Sequence, residues 1–394
     1  MTKININRTK NKDIVVYDVC CNDHKSILSF NFVKGESKII SKQEIYNSKR
    51  NYLSSDYIFI KRPKKIKASI PLSEVYNTIK NNADILLKQS KGVINMYQSG
   101  SVSITALDLF MRLQPQPNTE SIKKVEANWL NKATLGAMIW DCDKDHKIDD
   151  GELYKFDFVS MYPSILQSQS FNVPLRCGEF SIINEVPKYF AFGVYRCEVQ
   201  YTESRGWKLF KQNNKNHYYT HIDLNRAIQL GLKIKITLDG KYNAMTYPRA
   251  NNGFINGTKL FKTYVDFCFE LKQKGCKPVK EILNCLWGIL CKTRAHDKYF
   301  TGDINTNKDA EIQSLDMYDS GAVGTRVTNS NKQFTNNLGR IKPFLLARGR
   351  YLISKEIEKN VQSVVRVHTD GFSCKSNKPW IKCCGNELGQ LKQE

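Results

Sequence analysis

Hydrophobic and polar positions alternate in two short runs near the start of the chain, DIVVYDV from Asp13 and SILSFNFV from Ser26. Such period-two runs predict strands. Helical patterning follows and ends near SITALDLFMRL, after which QPQPNTES, with Pro115 and Pro117, breaks the pattern and predicts an extended linker. Downstream, ELYKFDFVSMYPSIL alternates and then meets Pro163, which predicts a strand passing through a turn into a short helix and places Asp157 near the end of the strand. THIDLNRAIQLG carries a capping pair (Thr220, Asp223) and a stop at Gly231, and the strand-like LKIKITL follows. Between 257 and 292, Leu260, Phe261, Tyr264, Val265, Cys268 and Leu271 recur at helical spacing. Gly275 can end that helix and Pro278 can begin a second. A last helix, PFLLARGRYLISKEIEK, precedes the strand-like VVRVHTDGF. The order of elements predicts a mixed α/β (α+β) protein.

The 394 residues suffice for two or three domains, and a net charge of +22 implies attraction to a polyanion, most simply a nucleic-acid backbone. The basic run KRPKKIK, Lys61 to Lys67, reads as a phosphate-contacting loop, a nuclear address or a solvated surface segment. The 12 cysteines form no C-x-x-C pair, so free thiols in a reducing compartment are expected. With no apolar run of about 18 residues, the expectation is a soluble, intracellular protein with no membrane partner.

Lys280, Asn284, Trp287 and Gly288 share one face of the second predicted helix. A cation, an amide, a flat ring and a gap would suit a nucleotide. Equally, Ile282, Leu283, Leu286 and Ile289 would make this an ordinary amphipathic helix with an exposed lysine. In chain order the sequence presents D-F-V-S-M-Y-P-S (Asp157 to Ser164), K-E-I-L-N-C-L-W-G (Lys280 to Gly288) and H-T-D-G (His368 to Gly371). These resemble the three polymerase motifs of family B DNA polymerases, which read D-x-x-S-L-Y-P-S, K-x-x-x-N-S-x-Y-G and D-T-D. WLNKATLGAMIW before the first motif, FELKQKG before the second and LGQLK after the third agree with it. The resemblance covers 125 to 394 and is closest to the organellar and viral branch, which includes protein-primed enzymes.

The resemblance implies a palm with an antiparallel sheet and helical-hairpin fingers. Its domains would be a reduced exonuclease-like region over 1–113, a linker over 114–124, palm over 125–255 with room for an insertion, fingers over 256–292, and palm again over 293–394. It also implies template-directed addition of deoxynucleotides to a primer 3′-hydroxyl, or to a protein hydroxyl, in replication of a virus or linear plasmid in the host cytoplasm or nucleus. Asp157 and Asp370 would be catalytic and, with the Phe158 carbonyl, would hold Mg²⁺ (or Mn²⁺). Ser160 would hold the triphosphate, and Tyr162 would lie beneath the sugar and exclude a 2′-hydroxyl. Lys280 would contact phosphate, Asn284, Trp287 and Gly288 would line the nucleotide site, and Lys272 would be a second phosphate contact across a turn of different length. Partners would be DNA template and primer, with a terminal protein as a further one.

Several positions depart from the family. Trp287 replaces a tyrosine, and His368 replaces the first carboxylate of the third motif, where neutral imidazole is a poor Mg²⁺ ligand. Cys20 stands where the exonuclease glutamate would follow Asp18, so that region reads as a structural remnant. Only 24 residues follow Asp370, fewer than a thumb needs, which implies a fragment or a separate chain supplying that function. These departures favour a second reading, a non-catalytic nucleic-acid-binding relic; a reverse transcriptase fits less well, since S-M-Y-P-S and K-x-x-x-N are not its signatures. A further candidate is DCDKDHKIDDGE, whose Asp141, Asp143, Asp145, Asp149 and Glu152 match Ca²⁺-loop positions. However, His146 sits where such a loop needs glycine and a strand follows it, so an acidic hairpin loop is the competing reading.

Overall fold

The computed structural model describes residues 11–19, 26–31, 36–41, 57–63, 65–142, 153–200, 206–211, 216–294, 296–300, 310–317, 323–329 and 333–394. Cys20 and most of the DCDKDHKIDDGE loop lie outside them. The chain divides into two compact units, Met1–Pro115 with Thr263–Ile289, and Gln116–Lys262 with Leu290–Glu394.

In the first unit the alternating runs form β1 (Asp13–Val19) and β2 (Ser26–Asn31), joined by β3 (Glu36–Ser41) and β4 (Tyr57–Lys61). The sheet order is β3-β2-β1-β4, with β4 parallel to β1 and the other pairs antiparallel. Two helices, α1 (Leu72–Gln89) and α2 (Val102–Leu113), follow, and their apolar stripes bury Val75, Ala83, Leu86, Leu109 and Phe110.

The proline-bearing stretch predicted as a linker is irregular from Gln114 to Lys123 and leads to α3 (Lys124–Lys132). Next come β5 (Ile139–Asp141), β6 (Tyr154–Phe158) and α4 (Met161–Leu166). Strands β7 (Asn172–Pro174), β8 (Glu179–Ser181), β9 (Gly193–Gln200) and β10 (Tyr218–Thr220) precede α5 (His221–Gln229). The predicted cap is present: Asp223 N donates to Thr220 Oγ1 at 3.3 Å and Thr220 N donates to Asp223 Oδ2 at 3.4 Å. After α5, β11 (Lys233–Ile236), β12 (Ala244–Thr246) and β13 (Phe254–Asn256) complete two small antiparallel sheets, and Tyr195, Cys197, Tyr219 and Leu224 share a core with Phe190.

The two predicted helices between 257 and 292 are α6 (Gly257–Gln273) and α7 (Val279–Leu290). Gly275, at φ 87°, ends α6: Gly275 N donates to Lys272 O and Cys276 N to Leu271 O, each at 3.0 Å. Within the first unit, Tyr264 Oη donates to Ile282 O at 2.6 Å and packs edge-on against Phe110. Strands β14 (His296–Phe300), β15 (Ala310–Met317) and β16 (Val323–Asn329) form a sheet in the order β14-β16-β15, followed by α8 (Ile341–Glu358).

The final sheet places the two distant motif aspartates. β17 (Val364–His368), β18 (Gly371–Cys374) and β19 (Leu391–Gln393) combine with β5 and β6 in the order β19-β6-β18-β17-β5, every pair antiparallel. Alternation sends Phe156 and Phe158 of β6 to the buried face, so Asp157 points the other way. Phe156, Phe372 and Trp380 meet on the buried face, with Phe372–Trp380 ring centroids 4.8 Å apart. Each fully buried aromatic contributes about 1.5–3 kcal/mol and fixes the register of the strand pair.

Candidate active site

Asp157 lies directly opposite Gly371 in the β6–β18 pairing, and Phe158 N donates to the Asp370 carbonyl at 2.9 Å. The aspartates of the first and third motifs are therefore brought close together, Asp157 on β6 and Asp370 at the tip of the hairpin next to it. A side chain at Gly371 would not fit, since an added Cβ would lie 2.8 Å from Asp157 Oδ1 and 2.7 Å from Phe156 O. The hairpin tip is two residues, Thr369 and Asp370, between the paired His368 and Gly371. Thr369 is held at φ 60° and donates its N–H to Met138 O at 3.1 Å. Ser160, just after β6, is also left-handed, at φ 53°. A β-branched and a hydroxyl residue in this region cost of order 1–2 kcal/mol each, the kind of strain that collects at functional sites.

The LGQLK segment forms the opposite border: Leu391 pairs with Phe158, and Val159 N donates to Gln390 O at 2.8 Å. A pocket of about 300 Å³ is lined by Asp157, Asp370, His368, Lys155, Arg366 and Glu394, among others. His368 is exposed, whereas Asp157 and Asp370 are half-buried. Two cations at the rim are matched by acids: Lys155 pairs with Glu394, which raises the lysine's affinity for its proton, and Arg366 Nε lies 3.8 Å from Asp141 Oδ2. Neither Lys155 nor Arg366 is marked by the motifs.

The donor set suits a hard cation only in part. Among the described residues no group of three or more His, Cys, Asp or Glu side chains forms a complete metal cage. Mg²⁺ ordinarily takes one or two carboxylates plus waters and substrate phosphates, so Asp157 and Asp370 in a polar pocket fit an ion completed by substrate.

Tyr162, in α4, is half-buried against α8. Burial, with the Asp370 charge adding to it, pushes its phenol up to about 12. An added Cβ at Gly349 of α8 would lie 3.2 Å from Tyr162 Cε1. Gly349 is thus a site residue that the sequence reading missed; its one signal is a glycine inside a long helical pattern. Its neighbour Arg350 is buried, holds Asp223 through two nitrogens (Nη2–Oδ2 2.9 Å) and donates to Leu135 O and Gly136 O.

Lys272, Lys280, Asn284, Trp287 and Gly288 belong to the first unit. On α7, Ile282, Leu283 and Leu286 are buried, and Leu290 takes the core position expected of Ile289, which is half-buried. Lys280 and Gly288 are exposed, Trp287 is half-buried, and space is open at Gly288. Asn284 Oδ1 is buried without a hydrogen-bond partner among the described residues, an acceptor left available to a ligand or a water. Lys272 Nζ sits 5.3 Å from the Phe269 ring centroid.

In the first unit, Asp18, the candidate exonuclease acid, accepts from Arg62 Nε at 2.5 Å. Arg62 is almost fully buried and also donates to Lys67 O, and Lys65 pairs with Glu281. Arg62 thus ties the run to the sheet of the first unit, while Lys61, Lys65 and Lys67 stay exposed, as a solvated basic segment would be. None of the described helices is long and apolar enough to cross a membrane.

No protein-family model matches the sequence, and no curated protein matches it. Solved structures do. Phi29 DNA polymerase complexed with single-stranded DNA superposes with a TM-score of 0.60 at 12% identity, over 96% of this chain and 84% of that one. The binary complex of that polymerase with primer-template DNA gives 0.58 at 12% identity, over 97% and 84%. Its ternary complex with primer-template DNA and incoming nucleotide gives 0.56 at 13% identity, over 96% and 84%. At these identities the likeness concerns the fold: this is a mixed α/β chain with antiparallel sheets and a polymerase-like architecture along nearly its whole length.

Proposed function

We propose that this protein is a template-directed DNA polymerase that extends a primer 3′-hydroxyl with deoxynucleoside triphosphates. The observation that carries the proposal is the adjacency of Asp157 and Asp370, brought together by the β6–β18 register from positions far apart in the sequence. Their order with the K-x-x-x-N helix and the fold likeness support it.

In this reading Asp157, Asp370 and the Phe158 carbonyl hold Mg²⁺ or Mn²⁺. Such ions, when bound, activate the 3′-hydroxyl and neutralise the departing pyrophosphate. The primer 3′-hydroxyl releases its proton to solvent water and its oxygen bonds to the α-phosphorus as the bond from that phosphorus to the pyrophosphate oxygen breaks. Ser160 and the left-handed turn at the end of β6 cradle the triphosphate, and Tyr162, uncharged throughout the physiological range, supports the sugar. Lys280 and Lys272 contact phosphate, while Asn284, Trp287 and Gly288 line the nucleotide site. The net charge of +22 holds template and primer through their phosphates. A protein hydroxyl serves as the first primer, in replication of a virus or linear plasmid.

Primer extension with Mg²⁺ or Mn²⁺, comparing wild type with Asp157→Ala, tests the central claim. Extension by wild type and none by the variant is expected. His368 in a carboxylate position and Asp18 held by Arg62 favour the second reading, a nucleic-acid-binding relic. DNA binding without extension by wild type would establish that reading instead. Initiation that persists without a protein primer would remove the priming proposal alone.

A further inference from the structure

In the second unit, away from the Asp157–Asp370 pocket, α8 and α5 enclose a separate pocket of about 220 Å³. Its lining includes Arg348, Tyr351, Tyr189, His221 and Ser170, and contains no aspartate or glutamate. Arg348 is the unusual member. It is half-buried, and the partial loss of water pulls its pKa down; among the described residues its hydrogen-bond partner is the Ser170 hydroxyl, at 2.9 Å. No carboxylate pairs with it among the described residues, although a guanidinium carries five N–H donors. A half-buried guanidinium with unused N–H donors offers an anion a charge-assisted contact, and a ligand anion would complete it.

The remaining walls are aromatic. The Arg348 guanidinium lies 4.8 Å from the Tyr351 ring centroid. Tyr189 is 70% exposed at the rim, yet its neighbour Phe190 is fully buried, with its backbone N–H and C=O both bonded to the Asn225 amide. Tyr189 is therefore presented from a fixed anchor. His221 takes an N–H from Gly193 at 3.5 Å and stays neutral, its pKa lowered to about 4 by burial, so Arg348 is the charged group of the lining.

We propose that this pocket binds one nucleotide, with its phosphate on Arg348 and its base against Tyr189 and Tyr351. One cation, no acid, flat rings and room for about one nucleobase define that ligand class. The site is distinct from that of an incoming nucleotide: Gly349, the next residue on α8, abuts Tyr162, which does not line this pocket. The nucleotide could be a free mononucleotide or part of single-stranded DNA.

The test is photo-crosslinking of the full chain in EDTA with two probes, 5-bromodeoxyuridine monophosphate and a 5′-phosphorylated trinucleotide carrying 5-bromodeoxyuridine, followed by peptide mapping. Adducts are expected on the peptides holding Tyr189 or Tyr351, falling about fivefold or more in Arg348→Gln and less in Arg348→Lys. Tyr189→Ala, at an exposed position where folding is not at risk, should weaken labelling of the Tyr351 peptide similarly. Labelling by the trinucleotide alone assigns the site to DNA, and labelling by both probes assigns it to free nucleotide. Adducts confined to other peptides, or yields unchanged in Arg348→Gln and Tyr189→Ala, would overturn the proposal.

Discussion

Gly349 and Tyr162 are in close contact: a Cβ at Gly349 would lie 3.2 Å from Tyr162 Cε1 and 3.1 Å from Met161 Cε, so even a methyl group fits only if its neighbours give way. Gly349→Ala must therefore push the ring away from α8 by a few tenths of an ångström. Because alanine favours a helix interior over glycine by about 1 kcal/mol, stability should change little. If Tyr162 supports the sugar, KM for deoxynucleotide should rise about threefold or more, and the deoxy-to-ribonucleotide preference should shift with it. Single-nucleotide incorporation kinetics with both substrates check this. An unchanged preference would remove Gly349 from the positioning of Tyr162.

Asp370→Asn keeps the shape of the hairpin tip and removes one of the two adjacent carboxylates, so extension should fall by at least about a thousandfold. His368→Asp restores a hard oxygen ligand at an exposed position beside the same pocket. Extension with Mg²⁺ should be retained or increased. Both variants are read in one primer-extension assay, and activity surviving Asp370→Asn would detach this hairpin from metal binding.

Thr369 is β-branched yet held at φ 60°. Asparagine tolerates that conformation, so Thr369→Asn should stabilise the second unit by about 1 kcal/mol. Urea unfolding followed by circular dichroism measures it. A loss of stability would mean that the threonine side chain makes contacts outweighing the strain.

Arg340 and Glu126 form a buried pair, Nε–Oε1 2.7 Å and Nη2–Oε2 2.9 Å, joined by the Tyr247 hydroxyl, which donates to Glu126 Oε1 at 2.9 Å. Arg340→Met leaves the carboxylate buried beside a single hydroxyl donor and should cost about 3–5 kcal/mol. Tyr247→Phe removes only that donor and should cost about 1–2 kcal/mol. Thermal denaturation of the two variants should rank them in that order.

The His221 pKa lies at about 4, against an ordinary 6.5, because burial disfavours the cation and Arg348 repels it. Below pH 6.5 the unfolded chain binds a proton that the folded protein refuses. Stability is full above 6.5 and declines as pH falls towards 4, by about 1.4 kcal/mol per unit at most. His221→Asn should flatten that part of the stability profile measured by urea unfolding at several pH values. A slope equal to that of wild type would place the acid sensitivity elsewhere.

Local signals decided local structure. The alternation of YKFDF set the inward and outward faces of β6, Thr220 and Asp223 capped α5, and Gly275 ended α6, because each depends on residues within one turn or one pleat. The motif wording similarly singled out Asp157, Tyr162 and Asp370 without reference to their surroundings. Other relationships came only with the tertiary structure. The β6–β18 register sets Asp157 opposite Gly371, Arg62 takes up Asp18, Arg350 clamps Asp223, and Gly349 backs Tyr162. The physical reason is common to all four: the choice of strand register, ion-pair partner or close contact is made among residues distant in sequence, by which faces can be buried together. No period of two or 3.6 residues records that choice.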